Sequence, residues 1–364
     1  MIEGIVPREI REGPAAIRST LDTATGPAAD VAARLVADGV RRVFVIGNGT
    51  SLHSALASTL LYRRHAGPDD PAVVALTAGE FRTYRPELGP GDAVVGISSS
   101  GEFRDVIGAF EELPATVPTV GIVHVPDSTL TRVARHIVLS AGGPSQVPVM
   151  TKTFSSTLVA TELVLLGLLG PRGAPVVDAI RAAADHAEAV LGVAAPLVEE
   201  LADRLAGFEH WFVVGAGGAH VASLEAALKL KEMALVHAEG AETWEMASGA
   251  ATILGPTSVV VALAPNGAGR SATANAVGHA AEWGSTIVEV GPDRLVPAST
   301  LLELPAAAEE DHAPLTAVPP VALLGFALAR RRGANPDQPG WIERYHSQGL
   351  RHILGAETGE EAAS

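Results

Sequence analysis

Short runs of aliphatic and β-branched residues alternate along the chain with longer stretches in which apolar positions recur every three or four residues. The runs at 43–46, 73–76, 94–97, 119–123 and 136–139 are mostly apolar at every position, as strands are when helices cover both faces of a parallel sheet. The same series restarts at 212–214, 259–263, 286–290 and 301–304. Between the two series lie helical patterns at 155–168 and 175–205, which read as the hinge between halves. The expected fold is therefore α/β, with two tandem doubly wound parallel sheets, one domain over 1–175 and a second over 176–364.

The restart is an internal repeat. Val43-Phe44-Val45-Ile46-Gly47-Asn48-Gly49 lines up with Trp211-Phe212-Val213-Val214-Gly215-Ala216-Gly217, and Val95-Gly96-Ile97-Ser98-Ser99-Ser100-Gly101 with Val261-Ala262-Leu263-Ala264-Pro265-Asn266-Gly267. The strand–loop–helix plan is kept in both copies, but only the first keeps hydroxyls in its loops.

Composition narrows the class. Of 364 residues, 47% are hydrophobic and 18% charged, enough apolar surface for two cores of ordinary size. Arg and Lys number 26 against 41 Asp and Glu, a formal charge of −15, which repels nucleic acid and anionic lipid. An anionic substrate must then be held by local groups, not by a basic surface. The absence of cysteine removes disulfides and thiolate chemistry. The opening residues lack the apolar core of a secretory signal, and the longest apolar stretch, 158–169, contains Glu162 and falls short of the ~20 residues a bilayer requires. A cytoplasmic protein is expected, with no membrane or nucleic-acid partner.

Several segments carry candidate chemistry. Gly47-Asn48-Gly49-Thr50-Ser51 lets the backbone turn after a strand, and a helix starting at Thr50 or Ser51 would aim free N–H groups at an anion. It lacks the glycine spacing of a dinucleotide loop, and no cofactor or metal is expected. Ser98, Ser99 and Ser100, followed by Gly101, place three hydroxyls before a helix expected from Phe103, more donors than one N-cap needs. Thr151, opening another helix, is expected to wall the same anion site. In the second half, Glu225, Lys229 and Glu232 share a helix face by their i, i+4, i+7 spacing. The helix runs on into His237, Glu239, Glu242 and Glu245, and together these read as a titratable cluster. A carboxylate of this set, held beside the C1–C2 bond of a sugar, could act as the base that carries a proton between those carbons. Arg344, Tyr345, His346, Arg351 and His352 form a later group.

These residues resemble the SIS (sugar isomerase) domain family, and within it the isomerase half of glucosamine-6-phosphate synthase and related amino-sugar-phosphate deaminases and deglycases. The resemblance runs from Arg8-Glu9-Ile10-Arg11-Glu12-Gly13-Pro14 through Gly49-Thr50-Ser51-Leu52-His53, the serine loop and Thr151-Lys152-Thr153-Phe154. Its most specific stretch is Leu224-Glu225-Ala226-Ala227-Leu228-Lys229-Leu230-Lys231-Glu232, and Asp337-Gln338-Pro339 is similar to the family's late motif. The resemblance implies that Ser51, Ser98, Ser99 and Ser100 meet the substrate phosphate, with serine at the position usually taken by glutamine in the synthases. It implies that Glu232 is the proton shuttle, with Lys229 one turn before it, and that the protein is a homodimer acting on a hexose or hexosamine 6-phosphate.

The departures are specific. No cysteine is present to serve as a glutaminase nucleophile, so glutamine-dependent synthesis is not expected of this chain alone. Ser248 stands where the family carries the histidine that opens the sugar ring, and Arg344, always protonated, where it carries a late lysine. His346 and His220 are the candidates for ring opening. A phosphosugar isomerase or deaminase is the expected function, and a non-catalytic phosphosugar sensor the alternative.

Overall fold

The computed structural model describes residues 2–344. Strands β1 (Arg42–Gly47), β2 (Ala72–Thr77), β3 (Asp92–Ile97), β4 (Thr119–Val123) and β5 (His136–Leu139) form an all-parallel sheet in the order β2-β1-β3-β4-β5. A second parallel sheet contains β6 (His210–Gly215), β7 (His237–Glu242), β8 (Ser258–Leu263), β9 (Thr286–Gly291) and β10 (Thr300–Glu303), in the equivalent order β7-β6-β8-β9-β10. Nine of these ten strands overlap an expected run; β7 is the addition, a half-polar edge strand with no apolar run to betray it.

In the first half the helices are α1 (Ile5–Ala37), α2 (Thr50–His65), α3 (Ala78–Thr83), α4 (Arg104–Glu111), α5 (Thr129–Val133) and α6 (Lys152–Gly167). They are followed by α7 (Ala174–Leu205), α8 (Gly218–Ala234), α9 (Thr243–Ser248), α10 (Arg270–Glu282), α11 (Ala313–Thr316), α12 (Val318–Arg331) and α13 (Trp341–Arg344). Alternation along each strand decides where its side chains pack. Val43 and Val45 join one apolar cluster with α1, α2, α6, α7, α8 and α12, while Phe44 and Ile46 join a smaller one with α3 and α4 on the outer face. In the second sheet Trp211 and Val213 join the same large cluster, and Phe212 and Val214 face α10. The two sheets thus share one central helical layer.

That layer corrects the expected hinge. Helix α6 is buried from Lys152 through Leu166 and packs on α1 and α2, so it is the middle of a core, not a linker. It also corrects the expectation about the longest apolar stretch. Within the 22 residues Glu310–Arg331 the most apolar 18-residue window has a mean hydropathy of 1.5, but it is wholly buried within this fold, with α12 lying on α7 and α8.

Helix α1 is long for a segment containing Pro14 and Pro27, and its N-cap, Gly4, has no side chain to offer. The orphan N–H groups of Ile5 and Val6 instead donate to the carboxylate of Asp337, at 3.0 and 2.8 Å. The late Asp337-Gln338-Pro339 motif therefore caps the first helix.

Candidate active site

Open parallel sheets hold ligands beyond the carboxyl ends of their strands, at the point where the strand order reverses. In the first sheet that point lies between β1 and β3, and the two loops singled out in the sequence leave those strands. After β1, Gly49 adopts φ 53° and α2 starts at Thr50, so the turn needs glycine. Thr50 and Ser51 are both buried in the first turn of α2.

The serine loop differs from the expected arrangement. Helix α4 begins at Arg104, with Phe103 as its N-cap, so the serines precede the helix instead of capping it. Ser98 Oγ accepts from the N–H of Gly101 at 3.1 Å, and Ser100 Oγ from that of Glu102 at 3.2 Å. The Ser99 carbonyl accepts from the N–H groups of His124 and Val125, which ties the loop to the end of β4. Each hydroxyl that accepts in this way keeps its own proton to donate, which suits an anion. Ser98 is buried, Ser99 partly so and Ser100 exposed. Thr151 stands at the N-terminus of α6, and its buried hydroxyl has no partner among the described residues. It lines a cavity of about 20 Å³, room for one water, together with Phe154, Val318 and Lys229.

Helix α8 brings Glu225, Lys229 and Glu232 together. Lys229 Nζ lies 3.1 Å from Glu225 Oε1 and 2.6 Å from Glu232 Oε2. It also donates to Thr50 Oγ1 at 3.3 Å, while Thr50 donates to Glu225 Oε1 at 3.1 Å. Thr50, expected with the phosphate loops, is thus committed through its hydroxyl to the charged cluster, and the first turn of α2 joins the two. His53, one turn further along α2, places Nδ1 2.6 Å from Glu225 Oε2. Sequence reading passed over His53; only its position after Thr50-Ser51, on the same face one turn on, could have marked it.

The two carboxylates are driven apart electrostatically. Burial pushes Glu225 up, but the Lys229 charge and the His53 hydrogen bond outweigh it and hold the carboxyl below its ordinary value. Glu225 is therefore ionised, and His53 Nδ1–H is the donor in their hydrogen bond. Burial would lower Lys229, but the two carboxylates override it and keep the amine protonated. Glu232 is raised, by burial first, with Lys229 opposing and the Glu225 charge adding to the rise. Its side chain is nonetheless 24% exposed, against 1% for Lys229 and 0% for Glu225. Glu232 is the member of the cluster that a ligand can reach, and the one poised to exchange a proton.

The rest of the expected titratable cluster does not gather there. Glu239 and Glu245 are exposed, and Glu242 caps α9 by accepting from the N–H groups of Trp244 and Glu245. Ser248 Oγ donates to the Trp244 carbonyl at 2.9 Å. His220 is half-buried, with its pKa lowered first by burial; Glu242 opposes that and His53 adds to it. His346, Tyr345, Arg351 and His352 lie outside the described residues. The last described helix, α13, is tied to the cluster's helix through Trp341 Nε1–H, which donates to the Glu232 carbonyl at 2.9 Å.

Residues 39–167 match the family described as SIS domain. Those residues form an SIS domain. The chain is 31% identical over 339 residues to glutamine–fructose-6-phosphate aminotransferase (isomerizing) of Pyrococcus horikoshii, an alignment that takes in 91% of the chain and 56% of that protein. It spans about half the length of the curated relatives it matches. Among solved structures, the C-terminal domain of glucosamine-fructose-6-phosphate aminotransferase from Francisella tularensis superposes with a TM-score of 0.84 at 22% identity, covering 93% of this chain and 99% of that one. Glucosamine-6-phosphate deaminase from Thermotoga maritima superposes with a TM-score of 0.72 at 20% identity, covering 93% and 98%. Both superpose on the two-sheet fold of this chain across nearly their whole length.

Proposed function

We propose that this protein is a phosphosugar isomerase or amino-sugar-phosphate deaminase that binds its substrate at the first sheet's switch point and moves a proton between C1 and C2 with Glu232. The observation that carries the reading is the split pair of carboxylates around one buried lysine: Glu225 held ionised, Glu232 raised and open, both joined through Thr50 to the loop region. In this reading Ser51, Ser98, Ser99 and Ser100 take the phosphate, and Thr151 walls the approach to Lys229. Glu232 removes the C2 proton of an open-chain aldose phosphate, or the C1 proton of the ketose, and returns it to the neighbouring carbon through an enediol. The Lys229 ammonium offsets charge developing on the substrate oxygen. His53, fixed by Glu225, and His220 beside it are the described histidines placed to assist ring opening, a task Ser248 cannot perform. A homodimer in the cytoplasm completes the proposal.

A panel of hexose and hexosamine 6-phosphates incubated with the protein in deuterated water tests the reaction. Deuterium should enter C1 or C2 of one substrate, and ammonia release separates the deaminase from the isomerase. Tight binding of a sugar phosphate with no exchange in any of them would favour the sensor.

The loop assignment has its own test. Ser98→Ala with Ser100→Ala should weaken binding of a sugar phosphate and leave the unphosphorylated sugar unaffected, measured by calorimetry. Equal weakening of both would mean that the hydroxyls only brace the loop.

A further inference from the structure

The second half repeats the backbone of the first-half crevice. Gly217 has φ 59° and ψ −130°, against φ 53° and ψ −126° at Gly49, and a helix starts directly after each. The loop after β8 has lost the serines, reading Ala264-Pro265-Asn266-Gly267. Yet the space is filled. The side chain of Glu310, a residue only 5% exposed, lies between the two loops, against Gly217 and Gly267. A methyl group added at Gly267 would run into that side chain, and one at Gly218 into the Glu310 backbone. Glu310 Oε2 accepts from the N–H of Gly269 at 3.0 Å, at the N-terminus of α10. Its own N–H donates to the Asn266 carbonyl at 2.8 Å. From the other half, Arg64 at the end of α2 brings Nη1 to 3.7 Å from Glu310 Oε1 and Nε to 2.7 Å from Asp311.

A buried carboxylate is costly unless paired, and this one is paired as a bound anion would be, by a helix-start N–H and a guanidinium. We infer that Glu310 is a tethered anion that occupies the second copy of the crevice. It closes that copy to phosphate, and Arg64 makes the plug a clasp between the halves. The inference rests on the reading that the first-half crevice takes a phosphate.

The test counts bound inorganic phosphate on the full chain by calorimetry and phosphorus NMR. Wild type should bind one phosphate per chain. Glu310→Ala, which removes the carboxylate and leaves the cradle, should bind one more than wild type. A small carboxylate such as formate should raise the melting temperature of Glu310→Ala and not that of wild type. If wild type binds none and Glu310→Ala binds one, the plug stands and the first-half reading falls. A folded Glu310→Ala that binds no more phosphate than wild type overturns the inference, as does a wild type that binds two. Should Glu310→Ala not stay folded, Glu310→Gln decides. Its amide fills the cradle without charge, so it should melt below wild type at neutral pH and leave the first-half affinity unchanged. A Glu310→Gln protein as stable as wild type would show that the carboxylate's charge is not what the cradle holds.

Discussion

Glu232→Gln is expected to cut turnover on the true substrate by ~10²–10⁴, the usual worth of a positioned general base, while binding and folding survive. The amide oxygen can still accept from Lys229 Nζ, now 2.6 Å from Glu232 Oε2, and Glu225 still neutralises the buried amine. Lys229 is the poorer choice for this test. Replacing it with Met would leave Glu225 buried with a hydrogen-bonding histidine but no cation, a loss on the order of 3–5 kcal/mol in stability that would hide any effect on rate. The pH dependence adds a second readout. Because the base must be deprotonated and Glu232 is raised, kcat/KM should fall on the acid side through a pKa above the ordinary glutamate range. Normal turnover by Glu232→Gln would remove it as the base, and Glu225 would inherit the question.

The second large effect concerns stability. Glu162 sits in the middle of α6, fully buried, its Oε2 without a partner among the described residues. Burial pushes its pKa from 4.5 to about 8, so the folded protein holds it neutral at pH 7. An acid raised on folding makes the unfolded chain the poorer proton binder between those two values. Stability from this group is therefore greatest below about pH 4.5 and is lost as pH rises towards 8. At ~1.4 kcal/mol per unit the loss is on the order of several kcal/mol. Glu162→Gln should be close to wild type at pH 5 and clearly more stable at pH 8, measured by urea unfolding. Parallel pH slopes for the two proteins would mean that Glu162 is not buried neutral.

The strands of both halves were legible because parallel strands covered on both faces leave runs that no other element needs. β7 was not, since His237-Ala238-Glu239-Gly240-Ala241-Glu242 is an edge strand with a polar face, and its carboxylates drew attention as chemistry instead. α1 was obscured by Gly13-Pro14 and Gly26-Pro27, which stop most helices; here packing on α6 and α7 carries the chain through them. Within the site, Glu225, Lys229 and Glu232 could be found because helical spacing is written in one segment. His53 and Thr50 complete the cluster from α2, 172 and 175 positions from Glu225, and no spacing rule reaches that far. The serine loop's hydroxyls were legible, but their relation to α4 was not, because Phe103 rather than a serine ends up as the cap.

The Asp337 cap on α1 has a consequence for how the chain is made. Helix α1 leaves the ribosome well before the carboxylate that completes it, which comes 331 residues later. At the ~5–20 residues per second of synthesis, its first turn waits on the order of tens of seconds for its partner. The nascent chain must therefore hold α1 by its apolar face on α6 and α7, with its leading turn frayed, until Asp337 emerges. Pulse-labelled hydrogen exchange on stalled chains should find the amides of Ile5 and Val6 unprotected until Asp337 is exposed, long after those of β1 and β3 are closed.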